Sequence, residues 1–194
     1  MVIQIASDTY KIKGYANCYL ITKPIPIIID TGKKDTVEYV KAQIEKIIPL
    51  KDIKIVILTH FHYDHCENVD IFPNAKFYAA AAEIEDYRKH KHKYFHRHKF
   101  PKAVHDILNK KVLPLPKKFP GIDVVPVPGH TRGCVVFVDK KRKLIYTGDT
   151  LFCIKIGRFD LPNSSPEEMK FSLEKIMKLI DKYNLELCPG HDEL

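Results

Sequence analysis

The chain contains no apolar run approaching the roughly 18 residues that a membrane-spanning helix needs. Its first residues, MVIQIASDTYKIKG, lack the basic region and apolar stretch of a secretory leader. Cysteine is sparse: Cys18, Cys66, Cys134, Cys153 and Cys188 are dispersed and odd in number. A disulfide framework needs paired cysteines, so reduced thiols in a cytoplasmic protein are expected. No repeat, linker or low-complexity stretch divides the 194 residues, which are expected to form one domain spanning 1–194. These absences argue against a membrane protein and against a secreted disulfide scaffold.

What is present is ordinary in bulk. Hydrophobic residues make up 45% and charged residues 29% of the chain, the balance of a globular domain. The formal net charge of +8 favours anionic partners such as nucleic acid, acidic metabolites or anionic cofactors. Lysines are spread along the whole sequence, so solubility alone is a competing explanation. One dense basic stretch, HKHKYFHRHKFPKAVH at 90–105, alternates cations, histidines and aromatics. It reads as a solvated basic helix. A lid, a channel wall, adventitious metal binding and a nucleic-acid contact are the alternatives.

Strands are expected at 2–6, 15–21 and 25–29, the first two joined by a turn at Gly14. A helix follows at 35–48, where Val37, Val40, Ile44, Ile47 and Ile48 share a face. Asp35 or Thr36 can cap it and Pro49 ends it. Then come a strand at 53–58, a short helix at 67–71, a strand at 76–79 and a helix at 80–88. Strands at 122–127, 135–139 and 143–146 precede an amphipathic helix at 166–183, with Met169, Leu173, Ile176, Met177 and Ile180 inward. A last strand is expected at 185–188. This order suits an α/β sandwich with helices outside mixed sheets.

The densest chemistry is Thr59-His60-Phe61-His62-Tyr63-Asp64-His65, which leaves an apolar strand. His60 and His62 point the same way on an extended backbone; Asp64 continues that parity and His65 breaks it. One metal ion cannot easily collect all four. Two adjacent ions could, His60 and His62 serving one, Asp64 and His65 the other. A solvated polar loop is the plainer alternative. Three further strand ends offer donors: Pro128-Gly129-His130-Thr131-Arg132-Gly133, Gly148-Asp149-Thr150 and Pro189-Gly190-His191. Each alone reads as a turn or a structural histidine. Their repetition carries the meaning, because open α/β sheets gather ligands beyond strand ends. Imidazole and carboxylate without thiolate suit Zn²⁺, and also Fe or Mn. Cys66 and Cys188, beside His65 and His191, read as packing residues. The last four residues, His-Asp-Glu-Leu, match an endoplasmic-reticulum retention address, which cannot be read without a leader.

The set His60-x-His62-x-Asp64-His65, His130, Asp149 and His191, in this order across nearly the whole chain, resembles the metallo-β-lactamase superfamily. The resemblance implies an αββα four-layer sandwich with a two-metal site between its sheets. His60, His62 and His130 would hold one ion, Asp64, His65 and His191 the second, and Asp149 would bridge them. Asp30, in an Asp-Thr-Gly similar to the family's, is implied to orient ligands from behind. A strand-ending turn residue is the alternative.

Branches of the family differ in their donors. Subclass B1 lactam hydrolases place Cys where Asp149 stands. Flavodiiron reductases place Glu where His62 stands and add a flavin domain. The segments Gly148-Asp149-Thr150-Leu151-Phe152 and Gly157-Arg158-Phe159-Asp160-Leu161-Pro162 look instead like glyoxalase II and its small bacterial and archaeal relatives. That likeness implies a small anionic thioester substrate and a metal-bridging hydroxide, which Asp64 and Asp149 would orient and deprotonate. Arg158, Lys155 and Lys143 are candidates for holding an anionic thiol carrier, against a reading as solvated surface charge. Two departures stand out. Glu67-Asn68 replace two family glycines, and the sequence stops three residues after His191, where glyoxalase II continues into a helical domain that helps hold glutathione. Glutathione as the carrier therefore does not follow. A metal-dependent nuclease acting on RNA or DNA, a single-iron persulfide dioxygenase and a non-enzymatic metal-binding protein are the other readings.

Overall fold

The structure, a computed structural model, describes residues 1–90, 100–119 and 121–192. Among these residues two sheets form. The first runs in chain order: β1 (Val2–Ala6), β2 (Thr9–Ile12), β3 (Cys18–Ile21), β4 (Ile27–Ile29), β5 (Ile55–Ile57), β6 (Lys76–Ala79) and β7 (Val112–Pro114). Strands β1 to β4 pair antiparallel, and β4 to β7 run parallel. The second sheet contains β8 (Lys118–Phe119), β9 (Ile122–Pro126), β10 (Val135–Asp139), β11 (Leu144–Gly148) and β12 (Glu186–Pro189), in the spatial order 12-11-10-9-8. Only its β11–β12 pair is parallel.

Successive strand residues face opposite sides, and the core divides accordingly. Leu20, Ile28 and Val56 face Val40 and Ile44 of α1 (Val37–Glu45) and Val104 and Leu108 of α4 (Lys102–Lys110). Their neighbours Tyr19, Ile29 and Ile57 meet Val135, Phe137 and Tyr146 of the second sheet. Beyond that sheet, Val136, Val138 and Ile145 pack under Ile176 of α5 (Pro166–Tyr183). The layers are helix, sheet, sheet, helix: an αββα sandwich. Strands covered on both faces are apolar at every position, as Ile27-Ile28-Ile29 is. Each such side chain contributes roughly 1.5–3 kcal/mol on full burial. Helix α5 is bounded as its sequence requires. Ser165 accepts the Glu168 N–H, Pro166 opens the first turn, and Asn184 closes it at φ +50°. No helix among the described residues is long and apolar enough to cross a membrane.

Several expectations need correction. Strand β2 was missed; it lies between the strands expected at 2–6 and 15–21, and buries Thr9 and Ile12. The first turn therefore lies at Ser7 and Asp8, and Gly14 belongs to the next connection. Strands β7 and β8 and helix α4 were also missed beside the basic stretch. Residues 91–99 of that stretch lie outside the described residues, and 102–105 begin α4. The short helix expected at 67–71 comes earlier, as α2 (Tyr63–Cys66), followed by a 3-10 turn at Val69–Ile71. Thr36 stands at the N-cap of α1, but neither its side chain nor that of Asp35 bonds the first turn. Asp35 pairs with Lys33, and the Thr36 hydroxyl donates to the Lys33 carbonyl. The cysteines are unpaired; Cys66 and Cys188 pack in the core.

Candidate metal centre

The loops leaving β4, β5, β9, β11 and β12 meet at one end of the sandwich. Backbone bonds fix the meeting: Asp30 N–H to Ile57 O, Val135 N–H to Thr59 O, and Gly190 N–H to Gly148 O. All seven sequence-derived donors are brought together there, and all are buried. Donor atoms of His60, His62 and His130 lie within 4.8 Å of one another, as do those of Asp64, His65 and His191. Asp149 stands between the two trios. Its Oδ1 is 3.0 Å from His65 Nε2 and 3.5 Å from His191 Nε2, and its Oδ2 is 3.6 Å from His130 Nε2. Helix α2 explains why Asp64 and His65 serve one trio. On an extended chain they would face opposite sides; in a helical turn they diverge by only about 100°.

Outer partners turn most of the imidazoles. His65 Nδ1–H donates to Asp30 Oδ2 at 2.8 Å, His130 Nδ1–H to the Arg158 carbonyl at 2.7 Å, and His191 Nδ1–H to the Tyr15 carbonyl at 2.6 Å. The Thr59 hydroxyl donates to Asp30 Oδ2 at 2.7 Å and accepts from His60 Nδ1–H at 3.0 Å. Each of these rings thus keeps Nε2 for the centre. His62 is the exception, because its Nδ1 faces His130 Nε2 at 2.8 Å. Asp30 also accepts the Thr59 N–H at 2.8 Å and adopts φ +56°, so it is both turn residue and orienting carboxylate.

The two trios differ in proton content. Burial, reinforced by neighbouring histidines, holds His60 well below the usual imidazole range and takes His62 down to about 3. Burial lowers His130 as well. It also opposes charge on His65 and His191, but there the carboxylates win. Asp149 and Asp30 hold His65 well above its usual range, and Asp149 and Asp64 take His191 up to about 9. Burial pushes Asp64 and Asp149 upward, yet His191 and His65 bring both below the ordinary carboxylate range. The first trio is neutral imidazole; the second is a network of imidazolium and carboxylate.

These residues fit two divalent cations. His60 Nε2 is buried without a hydrogen-bond partner, at a cost of about 1–3 kcal/mol that a bound ion removes. Nitrogen and oxygen donors without thiolate suit Zn, Fe or Mn.

Sequence reasoning missed Glu83, in α3 (Ala81–His90). Its buried carboxylate accepts from Phe61 N–H at 2.8 Å, Thr131 O–H at 2.8 Å and Gly133 N–H at 3.0 Å. It ties the His60 loop to the His130 loop, and burial pushes it up to about 7 despite these donors. A Cβ on Gly133 would lie 2.2 Å from the Glu83 nitrogen, so glycine is what permits the approach. A glutamate inside the apolar run Tyr78-Ala79-Ala80-Ala81-Ala82-Glu83-Ile84 was the available signal. Glu67 and Asn68, in place of two glycines, staple α2 to the Asp30 loop. Glu67 accepts the Lys34 N–H at 3.0 Å, and Asn68 Nδ2 donates to the Thr31 and Lys33 carbonyls at 2.9 and 3.0 Å.

The expected substrate cations fare differently. Lys143 immediately precedes β11, about 16 Å of extended chain from its far end at Gly148. It is displaced from the centre, which corrects that expectation. Arg158 reaches the centre only through its backbone carbonyl; its exposed guanidinium pairs with Asp160 at 2.9 and 3.0 Å. Lys155 is exposed on the same loop.

A family model described as the metallo-beta-lactamase superfamily matches residues 12–191. The chain belongs to this superfamily. It is a metallo-hydrolase, and the family implies a two-metal site built from these His and Asp residues. This metallo-hydrolase is 28% identical over 195 residues to "Probable metallo-hydrolase MJ0888" of Methanocaldococcus jannaschii, covering 95% of this chain and 92% of that one. A hydroxyacylglutathione hydrolase of Fuscovulum blasticum is 30% identical over 142 residues, 72% of this chain and 48% of its own length. Among solved structures, TTHA1623 in a di-iron-bound form superposes with a TM-score of 0.73 at 26% identity, over 93% of this chain and 90% of that one.

Proposed function

We propose that this metallo-hydrolase cleaves thioesters with two divalent ions, of Zn, Fe or Mn, and acts as one domain in the cytoplasm. The observation that carries the reading is Asp149. It sets a carboxylate between both trios, in a segment that looks like glyoxalase II. The relative named hydroxyacylglutathione hydrolase and the di-iron form of TTHA1623 support it. Free thiols suit a reducing compartment.

His60, His62 and His130 would hold one ion, Asp64, His65 and His191 the other, and Asp149 both. When bound, the ions supply a water-derived nucleophile near neutral pH and Lewis acidity toward an acyl carbonyl. Asp64 and Asp149 are kept ionised, so they can accept hydrogen bonds that orient water. The donors are buried, which excludes bulk water and strengthens every charge interaction around the acyl group. No thiol nucleophile is needed, and burial pushes Cys66 and Cys134 away from thiolate.

The test is metal-quantified protein offered S-lactoylglutathione, a persulfide and a structured RNA. Thioester turnover that His62→Ala abolishes, without RNA cleavage, is the expected result. RNA cleavage alone would assign the nuclease reading. Persulfide-dependent oxygen consumption would assign a dioxygenase, and metal binding without turnover a non-enzymatic protein.

A further inference from the structure

Two loops and the first turn of α2 each send one side chain to the same place on the rim of the second trio. Tyr15 holds His191 through its carbonyl, and its ring stands edge-on to that imidazole with centroids 5.7 Å apart. Tyr63 immediately precedes Asp64, and its phenol neighbours that of Tyr15. Lys33 follows Asp30-Thr31-Gly32, and its Nζ lies 5.2 Å from the Tyr15 ring centroid and 5.8 Å from that of Tyr63. Two aromatic faces hold an ammonium in place and take over part of its hydration.

The anion beside this ammonium is Asp35, at 2.6 Å, whose side chain is 62% exposed. An exposed pair of this kind is weak and exchangeable. An incoming carboxylate held by the rest of its molecule can displace Asp35. The 151–160 segment is of different character. Phe152 stands edge-on to His191 at 5.7 Å, and Ile154, Ile156 and Phe159 are exposed along it. One side of the second trio thus offers a framed cation, and the segment after β11 offers apolar surface.

We propose that Lys33, framed by Tyr15 and Tyr63, determines specificity by binding a carboxylate on the thiol arm of the substrate, beside the Asp64, His65 and His191 trio. This rests on the thioester reading above. It moves the anion-binding role away from Lys143, which is distant, and from Arg158, which already holds Asp160.

The experiment compares a matched pair of thioesters, one with a carboxylate on the thiol arm and one with its uncharged amide. The wild type prefers the anionic ester, by about tenfold in kcat/KM for one charge-assisted contact. Lys33→Met collapses that preference through KM rather than kcat. Asp35→Asn removes the competing carboxylate and lowers KM for the anionic ester, an effect of opposite sign. Lys143→Met changes neither ester. Loss on both esters alike in Lys33→Met, or a preference that survives it, overturns the proposal. Failure of the thioester reading shows separately, as no turnover of either ester. In that event binding decides. Calorimetry of the metal-loaded protein with 3-mercaptopropionate and with its amide must show an anionic preference that Lys33→Met erases, and an equal affinity for the two overturns the inference.

Discussion

His60, His65, His130 and His191 each have one nitrogen held from outside the centre, and that is what makes their other nitrogen useful. Asp30 does most of this, because its Oδ2 accepts from both His65 and Thr59, and Thr59 in turn holds His60. Asn offers one acceptor oxygen, so it cannot take the His65 and Thr59 side-chain bonds on one atom and the Thr59 N–H on the other; Asp30→Asn is therefore expected to weaken metal binding about 10–100-fold, measured by competition with a chromophoric chelator. Unchanged affinity would reduce Asp30 to a turn residue. The proton contents of the trios make a second prediction. His62 at about 3 is already neutral at pH 7, whereas His191 at about 9 carries a proton that a metal must displace. Titrated with zinc, the first equivalent should bind without releasing protons and the second should release at least one. Lower pH stabilises the protonated form, so affinity for the second equivalent falls as pH falls below about 9. Calorimetry in buffers of different ionisation enthalpy reads this directly; equal proton release in both steps would refute it. The ligands were legible because histidine or aspartate recurs at four strand ends, in an order that resembles the family's. Thr59 and Lys33 were not, since a threonine and a lysine acquire meaning only through what lies beside them in space; Glu83 left one trace, a carboxylate inside an apolar run.

Among elements, the β2–β3 connection does for His191 what Glu83 does for the His60 and His130 loops. Asn17 Nδ2 donates to the Pro189 carbonyl at 3.1 Å and to Asp192 at 3.0 Å, and the Tyr19 hydroxyl donates to the same carbonyl at 2.7 Å. Asn17 N–H bonds the Gly190 carbonyl at 2.7 Å, while Lys11 and Lys13 pair with Asp192. The stretch between the first two expected strands therefore braces the last ligand, through Lys11 of β2 and Lys13 just after it. Asp192→Ala removes two ion pairs and one amide contact from the residue next to His191. It is expected to lower occupancy of the second metal position by about tenfold in affinity, with the first position and the circular-dichroism spectrum unchanged. Elemental analysis after dialysis against a metal buffer distinguishes loss of one equivalent from loss of both, and loss of neither would show the hairpin to be redundant. Strands β4, β5, β10 and β11 could be read in advance because both faces are covered and their apolar runs are continuous. Helix α4 could not, although Val104, Ile107 and Leu108 have helical spacing, because the neighbouring cations and histidines dominated that stretch.

In the whole molecule the centre lies on the seam between the sheets. His60, His62, Asp64 and His65 follow β5 of the first sheet, whereas His130, Asp149 and His191 follow strands of the second. Each trio takes donors from both, so every bound ion is a cross-link between the two halves of the sandwich as well as a reagent. A ligand that binds only the folded state at a thousand times its Kd adds about 4 kcal/mol of stability. For a domain of this size each kcal/mol is worth about 2–4 °C, so stripping the metal should lower Tm by about 8–16 °C. The burial of the centre sharpens the expectation, because its removal leaves His60 Nε2 unpaired and the imidazolium and carboxylate charges of the second trio to balance one another. Differential scanning calorimetry of chelator-treated and metal-reloaded protein makes the comparison, with metal content measured on each sample. His130→Ala and His65→Ala cut one donor from each trio, and each should reproduce in the metal-loaded protein part of the Tm loss seen on stripping. A Tm that does not move when the metal has demonstrably gone would mean that the sheets are held by Phe137, Tyr146 and their neighbours alone. The centre would then be purely a site of chemistry and no part of what keeps the two sheets together.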